Sequence, residues 1–207
     1  MALTFHSVCN VLSTLRFTAG SHQRVRQTSK MNQAHPLTVR NAVASDALCI
    51  AALGLQVFLD TYATEGIRTT LAREALEAFS PENVASLLGT PGVMLLIADY
   101  NGHMVGFAQL ALNTAHDLIV SPHACELQRL YVQERFTGKG VGARLLTQAE
   151  RRAHAEGASL LWATVWVENQ RALGFYPRQG YQHLGSPPYT FEGETHGNAL
   201  FAKRLPV

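Results

Sequence analysis

Apolar and polar residues follow two rhythms along this chain, and the rhythm switches at turn residues. The runs 92–99 (Gly-Val-Met-Leu-Leu-Ile-Ala-Asp) and 103–111 (His-Met-Val-Gly-Phe-Ala-Gln-Leu-Ala) are short, apolar and rich in β-formers, so they predict strands. Asn101-Gly102 between them predicts a two-residue hairpin turn. Residues 36–41, 126–132, 159–166, 181–184 and 198–204 predict further strands. Helical spacing governs 47–56, behind the N-cap candidates Ser45-Asp46, and 72–79. Ser80 followed by Pro81-Glu82 predicts a short third helix ending near Gly89. Residues 141–154 and the run that opens at Asn169 predict two more. This order predicts a single α/β domain over residues 36–207, a mixed twisted central sheet of about six to seven strands with helices on both faces.

Composition narrows the class. With 207 residues, 47% hydrophobic and 15% charged, the chain can bury one full core. A formal net charge of +2 and the lack of a basic run interleaved with aromatics give no reason to expect nucleic acid. No stretch of eighteen apolar residues points to a membrane partner. Cys9, Cys49 and Cys125 lie far apart, which predicts neither a disulfide framework nor a metal site and fits a reducing compartment, the cytoplasm. Residues 1–35 contain no Asp or Glu and carry Arg16, Arg24, Arg26 and Lys30 among frequent Ser and Thr. They are expected to form a flexible N-terminal extension, with Met31 near the natural start; a transit peptide has the same composition.

The chemistry gathers after the strand 126–132. Thr137-Gly138-Lys139-Gly140-Val141-Gly142-Ala143 joins that strand to the helix 141–154. Glycines at alternate positions let the backbone turn its N–H groups toward one point. A helix starting there adds its unpaired N–H groups and the positive end of its dipole, which makes a cradle for a pyrophosphate. A Walker loop would follow Gly138-Lys139 with Ser or Thr, where this chain has Gly140. The dinucleotide fingerprint also fits as Gly138-x-Gly140-x-x-Ala143, with Glu168 as its ribose-binding acid, and stays open at this point. Against it, residues 133–137 intervene between strand and loop, and only 64 residues follow Ala143 (207 − 143).

A second motif follows the apolar run 159–166: Asn169-x-x-Ala172-x-x-Phe175-Tyr176-x-x-x-Gly180-Tyr181. With the glycine loop at this order and separation, the chain resembles the GNAT superfamily of N-acetyltransferases from about residue 37 to 205. The family's loop reads Gln/Arg-x-x-Gly-x-Gly/Ala, and Thr137 stands at its first position. Arg135-x-x-Gly138-x-Gly140 fits the same letters two residues earlier; the later register sets Leu145-Leu146 where the family's helix carries its apolar pair. Val165-Trp166-Val167-Glu168-Asn169, the strand 126–132 and Val57-Phe58-Leu59-Asp60-Thr61-Tyr62 look like bacterial spermine/spermidine acetyltransferases of the Pai type, from which Ser186–Phe191 departs.

The resemblance implies a GNAT fold, acetyl-CoA as cofactor and an amine as acceptor, possible polyamines among them, in an assembly that admits a homodimer. It assigns the pyrophosphate to Thr137, Gly138, Lys139, Gly140, Val141, Gly142 and Ala143, with Arg144 nearby, and the pantetheine arm to the backbone of Leu130, Tyr131 and Val132. Asn169 bonds the cofactor or caps its own helix. Tyr176 is the candidate general acid, or a packed aromatic; a free phenol, with a pKa of about 10, carries a proton at neutral pH. Glu126, eleven residues before Thr137 (137 − 126), is the candidate base, or an ordinary strand-edge carboxylate. Cys125 alternates to the opposite face and reads as a core thiol. Phe58, Tyr62 and Glu126 are candidates for the substrate, with Asp60, Glu65, Glu192 and Glu194 as outlying acids that suit a cationic amine. A non-catalytic acyl-CoA-binding or regulatory protein on the same fold is the competing class.

Overall fold

The computed structural model describes residues 37–191 and 194–206; the expected extension 1–35 and Glu192 lie outside them. The elements run β1 Thr38–Asn41, α1 Ala47–Tyr62, α2 Thr69–Ala78, α3 Pro81–Leu88, β2 Val93–Tyr100, β3 His103–Leu112 and β4 Ala124–Val132. They continue with α4 Val141–Ala155, β5 Leu160–Trp166, α5 Gln170–Arg178, β6 Gln182–Gly185, β7 Pro188–Phe191 and β8 Glu194–Arg204. The strands form one sheet of eight in the order β1-β2-β3-β4-β5-β8-β6, with β7 paired to β8. All pairs are antiparallel except β4 with β5, so the dinucleotide-binding alternative fails: that fold needs a mostly parallel, doubly wound sheet.

Alternation along β2 shows how the sheet takes helices on both faces. Leu95 and Ile97 join Phe107 and Tyr131 beneath α1, α2 and α3. Leu96 and Ala98 join Leu130, Val132, Leu145, Leu146 and Tyr176 on the face covered by α4 and α5. Asn101 and Gly102 turn the β2–β3 hairpin with φ of 54° and 76°, the left-handed pair that a two-residue turn requires. Ser80 caps α3 by accepting the Asn83 N–H at 3.2 Å.

Three expectations shift. α1 runs on past Gln56 to Tyr62 because Val57 and Phe58 continue its buried stripe. Asp46 does not cap α1 with its side chain. It accepts the Val43 N–H at 2.8 Å and the Arg40 guanidinium at 2.8 and 2.9 Å, and the Arg40 bond holds its carboxyl below the usual range. The sheet gains β7, a strand broken from its neighbours by Ser186-Pro187-Pro188, and β8 begins four residues earlier than the expected 198 (198 − 194). Residues Ala44–Tyr62 are long and apolar enough to cross a membrane by length and composition, but Ile50, Leu53, Val57 and Phe58 are packed against the sheet.

Gly106 in β3 marks the closest approach of the central strands: a Cβ there would sit 2.6 Å from the Tyr131 carbonyl oxygen and 3.2 Å from Leu145 and Val132 side-chain carbons. Backbone cannot step aside as a side-chain tip can. Gly106→Ala should therefore destabilise the domain by about 1–3 kcal/mol in urea denaturation, and an unchanged midpoint would contradict this packing.

Candidate active site

β4 and β5 share a ladder for only three residue pairs, Ala124 with Leu160, Cys125 with Leu161 and Glu126 with Trp162. β4 then continues to Val132 and β5 to Trp166 without pairing to each other. Two parallel strands that separate leave a row of backbone N–H and C=O groups facing a wedge, and such groups seek partners. Leu130, Tyr131 and Val132, the residues expected to hold a pantetheine arm, lie on the β4 side of this wedge.

A β-bulge accompanies the divergence. Leu127 opposes Leu110 and Arg129 opposes Gln109, so Gln128 is the extra residue. Before it, Cys125 and Leu127 face α4 while Glu126 faces the other way. After it, Leu130 and Val132 face α4 while Tyr131 packs between Phe79 and Phe107. The Cys125 thiol is fully buried and is pushed up to about 12 by burial and then by Glu126, which leaves it a core thiol as expected.

At the mouth of the wedge stands the glycine loop. Gly138 and Gly140 have φ of 69° and 81°, and a Cβ at either would meet nothing within 4 Å. Gly140 is the N-cap of α4, with no side chain capping that end. The first turn of α4 thus presents backbone N–H groups to open space, the geometry that receives phosphate. The residues present therefore fit a pyrophosphate. Thr137 is fixed from two directions: its hydroxyl donates to the Glu134 carbonyl at 2.8 Å and accepts from Arg171 Nη1 at 3.2 Å. Arg171 also reaches the Glu134 carboxylate at 3.3 and 3.4 Å, so α5 braces the loop. Lys139 lies over the Phe136 ring at 5.2 Å, and Arg144 donates to the Leu37 carbonyl at 2.6 Å, which draws Arg144 toward β1.

On the α4–α5 side, Tyr176 is completely buried, stacked on Phe201 at 5.6 Å and edge-on to Tyr181 at 5.4 Å. Asn169 caps α5, its carboxamide oxygen accepting the Ala172 N–H at 3.0 Å. On the opposite side, Glu126 is 2% exposed. Tyr62 reaches across from the end of α1, its ring 4.6 Å from Phe58 and 5.6 Å from Trp166 at the end of β5. Phe58, Tyr62 and Trp166 thus form one aromatic cluster, and Glu126 lies on β4 facing away from α4. Asp60 and Glu65 do not join them; both are exposed. At the rim, Tyr189 of β7 is pushed up by burial and by the Glu74 carboxylate of α2. Beside Glu126 across the short ladder, Trp162 buries its indole N–H without a hydrogen-bond acceptor among the described residues, a cost of about 1–3 kcal/mol.

Several residues here escaped the sequence reading. Arg129 donates from Nη1 to Gln109 Oε1 and lies over the Phe79 ring at 5.1 Å. Gln109 Nε2 donates to Gln128 Oε1 at 2.7 Å, and Gln128 Nε2 donates to Glu126 Oε2 at 3.3 Å. Arg171 and Trp166 lay inside recognised motifs without an assigned task. Gln109 and Arg129 carried no signal short of the bulge.

Residues 63–181 match the model of the acetyltransferase (GNAT) family, more than half of the chain. The N-acetyltransferase YhfO of Bacillus subtilis is 30% identical over 156 residues, covering 70% of this chain and 90% of the relative. The spermine/spermidine N(1)-acetyltransferase of the same organism is 29% identical over 96 residues, 46% of this chain and 62% of that protein. Among solved structures, the PaiA N-acetyltransferase of Thermoplasma acidophilum in complex with coenzyme A superposes with a TM-score of 0.65 at 20% identity, over 82% of this chain and 99% of that one.

Proposed function

This chain belongs to the GNAT family of acetyltransferases and takes acetyl-CoA as its acetyl donor, and we propose that it moves the acetyl group to a primary amine by direct attack on the thioester. The observation that carries this reading is the wedge between β4 and β5, with Glu126 on one side and Tyr176 on the other.

In this reading the loop Thr137 to Ala143 holds the pyrophosphate through its backbone N–H groups. Arg171, bonded to Thr137, brings a guanidinium to the position where the family's motif carries Gln or Arg. The backbone of Leu130, Tyr131 and Val132 pairs with the pantetheine arm as an added strand, and one N–H at the bulge polarises the carbonyl that is attacked. Asn169 combines its cap with fixing the start of α5, which carries Tyr176. Bound acetyl-CoA supplies an acyl group on a good leaving sulfur. The amine enters from the α1–α2 side, past Phe58 and Tyr62, and Glu126 accepts its proton directly or through water. Nitrogen bonds to the acyl carbon as the carbon–sulfur bond breaks, and Tyr176 delivers a proton to the departing sulfur.

A polyamine acceptor is a second reading, favoured by the partial likeness to the spermine/spermidine enzyme and by the carboxylates Glu126 and Glu74. Release of CoA thiol over a panel of amines tests the proposed function. Binding of acetyl-CoA without turnover on any amine would favour the non-catalytic class instead.

Gly140→Asp should abolish acetyl-CoA binding in calorimetry, because it adds a strained left-handed aspartate and a negative charge where phosphate belongs; unchanged affinity would remove the loop from the site. Tyr176→Phe should lower turnover by about 10²- to 10⁴-fold with little effect on acetyl-CoA affinity. Glu126→Gln should instead remove the acidic limb of the pH–rate profile, where a base must first lose its proton. An amine of low intrinsic pKa should be rescued in the Glu126 variant and not in the Tyr176 variant. Near-normal turnover of Tyr176→Phe with chemistry rate-limiting would make the phenol structural.

A further inference from the structure

We infer that Arg129 selects the acceptor: the amine is carried by a small molecule that also bears a carboxylate a short chain away, rather than by a polycation. The inference rests on the acetyltransferase reading and specifies the substrate class of the same site.

The geometry begins with the bulge. In a regular strand, residues three apart point to opposite faces. The extra residue Gln128 restores parity, so Glu126 and Arg129 emerge on the same face, two side-chain positions or about 7 Å apart along β4. Between them runs a hydrogen-bond chain with a fixed direction. Arg129 can only donate, so Gln109 turns its oxygen to Arg129 and its NH₂ to Gln128. Gln128 then turns its oxygen to Gln109 and its NH₂ to the Glu126 carboxylate. The chain therefore ties a cation at one end to an anion at the other, with every link polarised the same way.

Arg129 spends one of its five N–H donors in this chain. It lies on the face of Phe79, half-buried, and no carboxylate among the described residues pairs with it. Arg40 of β1, by contrast, is committed to Asp46 and Asp99. A half-buried guanidinium with most of its fork unused, held over an aromatic ring, is a receptor for a planar bidentate anion. The same charge a few ångströms from the proposed base repels a second ammonium group, which is how the site would discriminate against diamines and longer polyamines. Amine at Glu126 and carboxylate at Arg129 describe an ω-amino acid or a group of similar span.

The test compares acids with their neutral counterparts. β-Alanine and 4-aminobutyrate are assayed beside β-alaninamide and 4-aminobutanamide, with putrescine and spermidine as the cationic arm. The acids should be acetylated with kcat/KM about 10- to 100-fold above the amides and the polyamines. Arg129→Gln should erase that ratio, with the loss concentrated in KM for the acids, and Arg129→Lys should restore part of it. A Lys variant that is folded and bound to acetyl-CoA guards against misfolding of the Gln variant. Amides or polyamines acetylated as fast as the acids would overturn the role of Arg129 and leave the acetyltransferase reading standing. No transfer to any of the six, with acetyl-CoA still bound, would overturn the assignment of an ω-amino acid, while turnover on any other amine would leave the acetyltransferase reading standing.

Discussion

The rest of the site depends on one departure from regular sheet geometry, the separation of β4 from β5 after the Glu126–Trp162 pair. Each strand that leaves its neighbour gives up backbone hydrogen bonds, worth about 0.5–1.5 kcal/mol apiece in net stability. The fold sustains that loss because the surrounding packing is dense on both sides. Tyr131 is wedged between Phe79 and Phe107, and Val132, Leu145 and Tyr176 close the opposite face. Gly106 lets β3 approach the Tyr131 carbonyl so that β4 stays anchored on its other edge. The opening is therefore closely packed on both faces, and its edges are in place before any ligand arrives.

Two devices place charge around that opening. At the mouth, α5 reaches back through Arg171 to Thr137 and Glu134, so the second motif braces the first. Inside, Gln128 donates to Oε2 of the buried Glu126, and Gln109 links Gln128 to Arg129. Burying a carboxylate and a guanidinium on one face is costly, and an uninterrupted chain of donors and acceptors is what offsets the cost. Phe58, Tyr62 and Trp166 form an aromatic cluster, while β4 carries a carboxylate and a guanidinium linked through two glutamines.

The apolar runs 92–99 and 103–111, the Asn101-Gly102 turn, the Ser80 cap and the glycine loop were legible because each is a local rule with a local residue signature. Glu126 was singled out by its spacing from the glycine loop and Tyr176 by its place in the second motif, and the roles proposed for them rest on that reading. What stayed hidden depends on long-range register. The bulge falls on Gln128, a residue with no bulge preference, so strict alternation sets Arg129 on the wrong face. Gln109 became visible only once β3 and β4 were paired. α1 outran its expected end because Gln56 interrupts the apolar pattern on the exposed side alone, and Gln133, whose Nε2 donates to Gln56 Oε1, lies far along the chain. β7 is short and proline-bound, too brief for a periodic signal.

The central claim is that the wedge itself receives acetyl-CoA as an added strand. Backbone hydrogen exchange, measured with and without saturating acetyl-CoA, tests it directly. Amides of residues 127–132 and 138–143 should slow on binding, while those of β2 stay as they were. Acetyl-CoA bound with no added protection across 127–132 would contradict the account.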